Sequence, residues 1–381
     1  AALDSELEEV QLLVLVPSRE LAIQIEQVVR EMGSGYKANA VYGGRSGSKD
    51  KLELKQPPAI LIGTPGRVAD HIRRKNVSTR YIKTLVLDEY DKSLETGFSN
   101  EMKEIVVALP NLEKKVLTSA TQKVKIPSFV GIKDAKHLNF LKDTKPQLQL
   151  KLVVSPYEDK LETLVDLLKH IGPKSGIVFC NYKDSIERIS NHLYNSRIDH
   201  ACFYGGLEQI DRERALVKFR NGTHRLLIAT DLAARGIDVP ALDFIIHYQL
   251  PPRPDEFVHR NGRTARMNTE GSAYVLKWER EDLPVFIKGV EMVALEPSKQ
   301  KLTKDCETLY ISGGRKDKIS KGDIAGLFFK QGNLNNDELG VIELKSDCAF
   351  VSVPSRKATQ LIKQLNNSRL KKKKVRISLL N

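Results

Sequence analysis

The sequence predicts an α/β protein in which two parallel-sheet domains follow one another and a small α+β domain comes last. Short apolar runs, typical of strands buried on both faces, alternate with stretches of helical apolar spacing up to about residue 295. Such alternation produces βαβ units, whose parallel strands share a sheet with helices on both faces. From about residue 305 the order changes to β-α-β-β-α-β, which indicates a different, smaller domain.

Polar residues follow six of the apolar runs, either directly or after one Pro or Gly. The runs are residues 12–16, 60–62, 85–87, 116–117, 177–180 and 226–229. Because open parallel sheets bind ligands at the carboxyl ends of their strands, we expect the residues after these runs to form a site. One small polar residue at a strand end is more often a helix N-cap, whereas six such ends favour a site.

Two adjacent acids, Asp88 and Glu89, follow the run at residues 85–87. An Asp at such a strand end can hold Mg²⁺, usually through water, and a neighbouring Glu can orient or deprotonate the water that attacks a γ-phosphate. Taken alone, the pair could be two solvated acids.

A basic cluster lies at His259-Arg260-Asn261-Gly262-Arg263-Thr264-Ala265-Arg266. The spacing of three between Arg263 and Arg266 would put both on one helical turn, where they could act as arginine fingers on a phosphate. The alternative is an exposed basic helix start. Nearby, Gly236 permits close approach of the backbone to a ligand, and Asp238 can accept a hydrogen bond from a ribose hydroxyl.

Composition limits the class of protein. The chain has 381 residues, 41% of them hydrophobic, which suits two or three globular domains. Its net charge of +13 indicates a polyanionic partner, although charge alone does not separate RNA, DNA and an anionic membrane. No apolar run approaches the ~20 residues of a membrane span and no signal peptide opens the chain, so we expect no membrane partner and a cytosolic or nuclear protein, with the cytoplasm preferred.

The four cysteines, Cys180, Cys202, Cys306 and Cys348, include no CxxC pair. We therefore expect reduced core residues, with neither a zinc site nor a disulfide framework.

The domain boundaries are predicted at residues 1–143, 150–297 and 305–381. A polar stretch at residues 141–149 is typical of a linker, and the breaker-rich residues 296–299 close the second domain. We expect the two sheet domains to face each other across a cleft that nucleotide could close.

In order and spacing, these elements resemble a DEAD-box RNA helicase over residues 11–276. The matching elements are Pro17-Ser18-Arg19-Glu20-Leu21, Gly43-Gly44, Thr64-Pro65-Gly66-Arg67, Asp88-Glu89-Tyr90-Asp91, Ser119-Ala120-Thr121, Val178-Phe179-Cys180-Asn181, Gln209 with Arg212, residues 230–238 and residues 259–266. The resemblance implies two RecA-like domains, ATP and Mg²⁺ as cofactors, and RNA as the partner.

The resemblance also implies roles for individual positions. Asp88 would serve Mg²⁺ and Glu89 the attacking water; Asp91, Ser119, Thr121 and His259 would link hydrolysis to contacts between the domains; Arg263 and Arg266 would touch the γ-phosphate, and Gly236 and Asp238 the nucleotide. RNA would be held by Pro17, Arg19, Gly44, Thr64, Pro65, Arg67, Thr230 and Asp231. Contacts directed at the RNA backbone carry little sequence information.

The sequence departs from the family pattern in two respects. Tyr90 stands where the family has Ala, so a bulky ring must fit beside the acids. Nothing in the chain matches G-x-x-x-x-G-K-S/T, and the glycine-rich stretch that ends at Lys49 continues with Asp50 instead of Ser or Thr. We therefore expect a sequence that continues upstream of Ala1, a first sheet that is incomplete, and 381 residues that do not hydrolyse ATP.

The last segment is predicted to be an RRM-like RNA-binding domain. Its strands are expected at residues 308–312, 339–344, 348–353 and 375–379, and its helices at residues 321–329 and 355–365. From Asp305 onward, 15 Lys and Arg face 8 Asp and Glu, a net charge of +7. Lys371, Lys372, Lys373 and Lys374 are expected to lead into the last strand and border a face that binds RNA.

This domain keeps Phe350 of the usual base-stacking pattern but has Cys348 and Val353 at the other aromatic positions, which predicts a poor stacking platform. With Gly313, Gly322-Asp323 and the final run Val375-Arg376-Ile377-Ser378-Leu379-Leu380, it resembles the C-terminal domain of the DbpA subfamily. That resemblance implies a large-subunit ribosomal RNA hairpin as the target and a role in ribosome assembly.

The sequence thus predicts an ATP-dependent RNA helicase that remodels structured RNA locally, with a monomer favoured. The alternative from another class is an RNA-binding scaffold with helicase architecture and no ATPase activity. DNA helicase activity is a weaker third interpretation.

Overall fold

The computed structural model describes residues 3–44, 47–95, 97–119, 125–132, 134–139, 148–231, 239, 242–264, 270–296 and 305–380. The chain divides into two compact units, the first formed mainly by residues up to 142 and the second by residues from 143 onward. Unit 1 contains one parallel sheet. Unit 2 contains a second parallel sheet and the C-terminal domain.

Unit 1 is a parallel sheet with the strand order β2-β3-β1-β4-β5. Its strands are β1 (Leu12–Leu15), β2 (Ala38–Val41), β3 (Ile60–Gly63), β4 (Thr84–Leu87) and β5 (Lys114–Leu117). Its helices are α1 (Arg19–Glu31), α2 (Gly47–Glu53), α3 (Pro65–Arg73), α4 (Tyr90–Glu95) and α5 (Ser99–Val107). The predicted apolar runs all form strands, and β3 is buried along its whole length.

Among the described strands, β5 forms one edge of this sheet. The Lys114 side chain is exposed, and that of Val116 is 37% exposed. The expectation that the first sheet is incomplete stays a prediction.

The second sheet has the order β12-β6-β11-β10-β7-β9-β8, and its strand pairs are parallel. Its strands are β6 (Leu148–Ser155), β7 (Gly176–Cys180), β8 (Ala201–Phe203), β9 (Leu226–Thr230), β10 (Phe244–His247), β11 (Gly271–Trp278) and β12 (Glu291–Met292). Its helices are α6 (Leu161–Ile171), α7 (Lys183–Asn195), α8 (Gln209–Arg220) and α9 (Pro254–Asn261). Because β6 begins at Leu148, the predicted linker extends too far by two residues.

The C-terminal domain is an antiparallel sheet in the order β14-β15-β13-β18. It consists of β13 (Cys306–Ile311), α10 (Lys321–Lys330), β14 (Ile342–Leu344), β15 (Ala349–Pro354), α11 (Ser355–Leu365), β16 (Arg369–Leu370), β17 (Lys373–Lys374) and β18 (Ile377–Leu379). The predicted β-α-β-β-α-β order is confirmed.

The placement of the lysine run was wrong. Strands β16 and β17 form a separate two-stranded sheet with Lys371 and Lys372 at its turn, and Lys371 has a positive φ of 53°. The last sheet strand begins only at Ile377. The lysines therefore lie on a hairpin beside the sheet and do not lead directly into its strand.

Local packing explains the glycine and acid motifs of this domain. A Cβ on Gly313 would lie 2.7 Å from Ile319 and 2.9 Å from Val375, so a larger residue would disturb the core. Ser320 and Asp323 form a capping box that satisfies main-chain N–H groups at the start of α10.

The cysteine prediction was partly wrong. All four cysteines are free thiols, but only Cys180 is buried, and the other three are half-buried. Burial raises the pKa of the Cys180 thiol to about 12, which keeps it protonated and unreactive. Among the helices that the structure describes, none is long and apolar enough to cross a membrane.

Candidate functional site

The strands of the first sheet end side by side. Val41, Gly63, Leu15, Leu87 and Leu117 are neighbours in the strand register, in that order across the sheet. The segments after β2, β3 and β1 are those expected to hold RNA, and the segments after β4 and β5 carry the predicted catalytic residues. One edge of one sheet therefore positions both sets.

Asp88 is held at the end of β4. Its N–H donates to Leu15 O at 2.9 Å, and its Oδ1 accepts from the Glu89 N–H at 3.1 Å and from the Thr118 hydroxyl. A half-buried carboxylate at this edge fits Mg²⁺, which binds proteins through one or two carboxylates and completes its shell with water and phosphate oxygens. Nowhere among the described residues, this edge included, do three or more potential metal ligands form a cluster.

Glu89 has a strained backbone. Its φ is +45°, a left-handed conformation that is unfavourable for a residue with a long side chain. The conformation is fixed because the Glu89 N–H donates to Asp88 Oδ1 and lies 3.2 Å from Thr118 Oγ1. Strain of this kind concentrates at functional sites, where the surrounding structure maintains it.

Tyr90 fits beside the acids because its ring joins the core of unit 1. The residue is 8% exposed and packs in the cluster that contains Leu85, Leu87 and Ile105. Burial and the neighbouring Asp91 raise the pKa of the Tyr90 phenol. The departure from the family pattern is therefore accommodated without displacing Asp88.

The remaining predicted residues of this half lie near the same edge. Asp91 is buried on α4, and Ser119 is half-buried just beyond β5. Thr121 lies outside the described residues.

The paired glycines at the end of β2 make room for Arg19. Gly44 has a φ of +83°, and a Cβ added there would collide with the Arg19 guanidinium. The motif after β1 and the motif after β2 therefore form one packed unit. Pro17 precedes it and is half-buried.

The segment after β3 starts a helix. Pro65 occupies the first turn of α3, where its missing N–H costs no hydrogen bond, and Thr64 is the N-cap residue without a capping bond from its side chain.

Arg67 is anchored by a carboxylate that sequence reasoning missed. Its Nε lies 2.9 Å from Oδ2 of Asp50, which is 0% exposed, and His71 Nε2 lies 3.3 Å from the same oxygen. Asp50 drew attention in the sequence only as the residue that follows Lys49. Only the structure shows that α2 and α3 meet at this buried charge.

The second sheet is organised around Arg260, which the sequence analysis named only as part of a motif. This fully buried arginine donates to both carboxylate oxygens of Asp231, at 2.7 and 2.5 Å. It also donates to Asn181 Oδ1 at 2.7 Å and to Gln249 O at 2.8 Å, and its guanidinium lies 5.2 Å from the centroid of the Phe179 ring. One side chain thus joins the segments that follow β7, β9 and β10.

Thr230 and Asp231 lie at this junction. Thr230 is the register neighbour of Cys180, and the Asp231 carboxylate is engaged by Arg260. Contact of Thr230 and Asp231 with RNA stays a prediction.

The expectation of a helix that carries both motif arginines was wrong for Arg263. Helix α9 ends at Asn261, and Arg263 follows in a turn, close to the bridge between Thr264 and Leu242. His259 is half-buried on α9. Arg266, Gly236 and Asp238 lie outside the described residues.

In the lysine hairpin of the C-terminal domain, two of the four lysines lie close to carboxylates. Lys371 lies 3.0 Å from Asp323, and Lys373 lies 2.7 Å from Asp317. Hydrogen bonds from Ser320 and the charge of Lys371 lower the pKa of the Asp323 carboxyl to about 2. Lys372 and Lys374 are exposed.

Sequence reasoning also missed an aromatic pair on the sheet of this domain. Tyr310 on β13 lies opposite Phe350 on β15, with ring centroids 6.0 Å apart. The alternation of β13 contained this signal, because Leu309 and Ile311 are core residues and Tyr310 must face the other way.

Two parallel sheets with polar strand ends, an Asp-Glu pair after one strand and an RRM-ordered module are typical of a nucleotide-driven enzyme that acts on nucleic acid. The DEAD/DEAH box helicase family matches residues 1–128, the helicase conserved C-terminal domain residues 159–268, and the DbpA RNA-binding domain residues 308–379. The chain belongs to the DEAD-box ATP-dependent RNA helicases, in the DbpA-like subfamily.

Individual relatives agree with this assignment. The ATP-dependent RNA helicase DbpA of Bacillus subtilis is 31% identical, over 97% of this chain and 85% of that protein. DbpA of Escherichia coli K12 is also 31% identical, over 99% of this chain and 86% of that protein. The structure of S. cerevisiae Dbp5 bound to RNA and ADP BeF3 superposes with a TM-score of 0.64, at 26% identity and over 73% of each chain.

Proposed function

We propose that this helicase uses ATP to remodel structured RNA in the cytoplasm and that its target is a hairpin of large-subunit ribosomal RNA, bound by a monomer. The observation that carries the proposal is a complete RRM-ordered module with a net charge of +7 in the same chain as two helicase sheets. A module of this kind can supply RNA selectivity that contacts with the RNA backbone lack.

In this proposal the acids at the end of β4 carry the chemistry. Mg²⁺, when bound with nucleotide, would neutralise phosphate charge, and Asp88 would hold it. Glu89 would orient the attacking water and take its proton, and its backbone is fixed at the sheet edge. Arg263 and Arg266 would supply positive charge to the transferring phosphoryl group.

Other residues would link hydrolysis to the RNA grip. Four residues would couple the nucleotide state to contacts between the domains: Asp91, Ser119, Thr121 and His259. The nucleotide itself would be contacted by Gly236 and Asp238. RNA phosphates and 2′-hydroxyls would be held by residues of both sheets. These are Pro17, Arg19, Gly44, Thr64, Pro65 and Arg67 on the first sheet and Thr230 and Asp231 on the second. The packing of Arg19 on Gly44 and of Arg67 on Asp50 supports this role, because both arginines are preorganised.

The rival function, an RNA-binding scaffold without ATPase activity, is favoured by one observation. No G-x-x-x-x-G-K-S/T segment occurs in the 381 residues. Because backbone N–H groups and the lysine of that loop cradle the phosphates, the scaffold interpretation predicts that these residues bind RNA and hydrolyse ATP at no more than the background rate.

A phosphate-release assay with and without RNA measures this directly. RNA-stimulated hydrolysis that is lost in Glu89→Gln would exclude the scaffold and assign the activity to this site.

The RNA target is tested by titrating the 381-residue chain with a large-subunit ribosomal hairpin and with an unrelated hairpin of equal length. We expect tighter binding of the ribosomal hairpin, and a weaker salt dependence in Lys372→Ala/Lys374→Ala, with a slope reduced by up to about 0.9 for each RNA phosphate that is no longer neutralised. The matched pair Lys371→Ala/Lys373→Ala should change the slope less, because these lysines already face Asp323 and Asp317. Equal affinity for the two hairpins would contradict the proposed target.

A further inference from the structure

The C-terminal sheet has an outer face that is covered. One face carries the core residues Leu309, Ile311 and Val351 and packs on the domain's helices. Thr308 and Ser352 point to the other face by strand alternation, yet they are only 1% and 3% exposed. Another part of unit 2 must therefore lie on the outer face.

The end of α8 and the loop that leads to β9 provide this cover. The hydroxyls of Thr223 and Thr308 lie 2.7 Å apart, and the Ser352 hydroxyl donates to Asn221 O at 2.7 Å. Both hydrogen bonds are buried, so separating the two surfaces would leave polar groups without partners.

A bidentate ion pair borders these hydrogen bonds. Arg220, the last residue of α8, donates to both carboxylate oxygens of Glu343 on β14, at 2.7 and 2.8 Å. Both side chains are largely buried, which favours the paired geometry over separate solvation. Arg225 adds a second ion pair with Asp305.

Helix α8 connects this interface with the other end of the second sheet. Its residues Ala215, Leu216, Val217 and Phe219 are all buried, which requires packing on more than one side. The helix begins at Gln209, after the carboxyl end of β8, on the sheet edge where Thr230 and Asp231 of the proposed RNA grip follow β9. Twelve residues span about 18 Å, so α8 is a rigid spacer between that sheet edge and the C-terminal domain.

We propose that Arg220 and Glu343 are positioning residues that fix the C-terminal domain on α8. A hairpin on the C-terminal domain and a single strand at Thr230 and Asp231 are then held at one spacing. The substrate is then a hairpin joined to a single-stranded extension of defined length. The outer face of the C-terminal sheet, although it carries Tyr310 and Phe350, is used to dock this domain on α8. This inference rests on the proposed function, because it needs both RNA contacts.

Linked binding gives the measurable consequence. When two sites on a rigid body bind one RNA, the second contact is intramolecular and strongest when the connecting strand matches the distance between the sites. A loosely tethered domain tolerates many lengths of the connecting RNA strand and gains less affinity from the second contact.

Disulfide trapping tests the docking without RNA. In Thr223→Cys/Thr308→Cys the two thiols replace hydroxyls that touch, and we expect rapid crosslinking under mild oxidation that neither single variant shows. Adding Arg220→Glu should slow the crosslinking at least tenfold, and adding Glu343→Arg as well should restore it. A folded double-cysteine chain that does not crosslink, or a rate unaffected by Arg220→Glu, would overturn the inference.

RNA binding tests the spacing. The 381-residue chain is titrated with hairpins whose single-stranded extension grows one nucleotide at a time. We expect one length to bind at least tenfold more tightly than the hairpin alone. Arg220→Glu should flatten this optimum without changing the affinity for the hairpin alone, and Arg220→Glu/Glu343→Arg should recover it.

The control is Arg188→Glu on α7, which makes the same charge change at an exposed side chain outside the interface and should keep the optimum. Binding with no length optimum, or an optimum that survives Arg220→Glu, would overturn this inference alone. Failure to bind any of the RNAs would overturn the proposed function as well.

Discussion

The two parallel sheets place polar residues at the same kind of edge but hold them by different means. In the first sheet main-chain geometry dominates, with Glu89 at a φ of +45° and Gly44 at +83°. In the second sheet the buried side chain of Arg260 ties three strand ends together. Substitutions should therefore affect ligand chemistry first in unit 1 and stability first in unit 2.

The largest expected effect is that of Arg260→Met. The change keeps much of the side-chain volume but leaves Asp231 and Asn181 without their charged partner, which should destabilise unit 2 by about 3–5 kcal/mol. Trp278, the single tryptophan, lies on β11 and reports the unfolding of unit 2 by fluorescence in urea.

Arg253→Met is the matched control. Arg253 pairs with Glu256 but is half-exposed, so its loss should cost no more than about 1 kcal/mol. Equal costs for the two variants would mean that the buried network does not stabilise the second sheet.

A smaller effect is expected from pH. Burial and the neighbouring Arg260 lower the pKa of His247 to about 3, whereas an unfolded histidine has a pKa of about 6.5. Below about pH 6.5 the unfolded state therefore binds a proton that the folded state does not bind, and the free energy of unfolding of unit 2 falls as the pH drops. Between pH 6.5 and 5 the loss should be about 1.5–2 kcal/mol.

Urea unfolding followed by Trp278 fluorescence across this range measures the slope. His247→Gln should flatten it, since glutamine does not titrate. An unchanged slope in the variant would assign the pH dependence to other groups.

The smallest effect concerns the strain in unit 1. Glycine adopts a positive φ without steric cost, so Glu89→Gly should be more stable than Glu89→Ala by about 1 kcal/mol, although both lose the carboxylate. Hydrogen exchange of the amides of β4 measures the difference, since Trp278 does not report on this unit. A more stable Glu89→Ala would show that the left-handed backbone is not strained.

The sequence predicted those parts of the fold that depend on local pattern. The strands that end before Asp88 and Asn181, and helix α11 over Ser355–Leu365, follow directly from apolar periodicity and strand-end chemistry. The pairing of Arg67 with Asp50, and that of Arg260 with Asp231, could not be predicted, because burial of a charge depends on tertiary neighbours. The lysine hairpin escaped prediction for a similar reason, since its turn requires a positive φ at Lys371, a residue type that gives no such signal.

The edge strand β5 has a consequence for the behaviour of the protein at high concentration. An edge strand with free main-chain groups is a template on which a second molecule can add a strand, and this is a common start of aggregation. Strand β5 begins with Lys114 and Lys115, whose charges oppose the approach of another strand, and Lys115 also donates to Val130 O at 2.7 Å. Where β5 is the edge strand, as in the part of the sheet that the structure describes, we expect these two lysines to disfavour its pairing with a second copy of the chain.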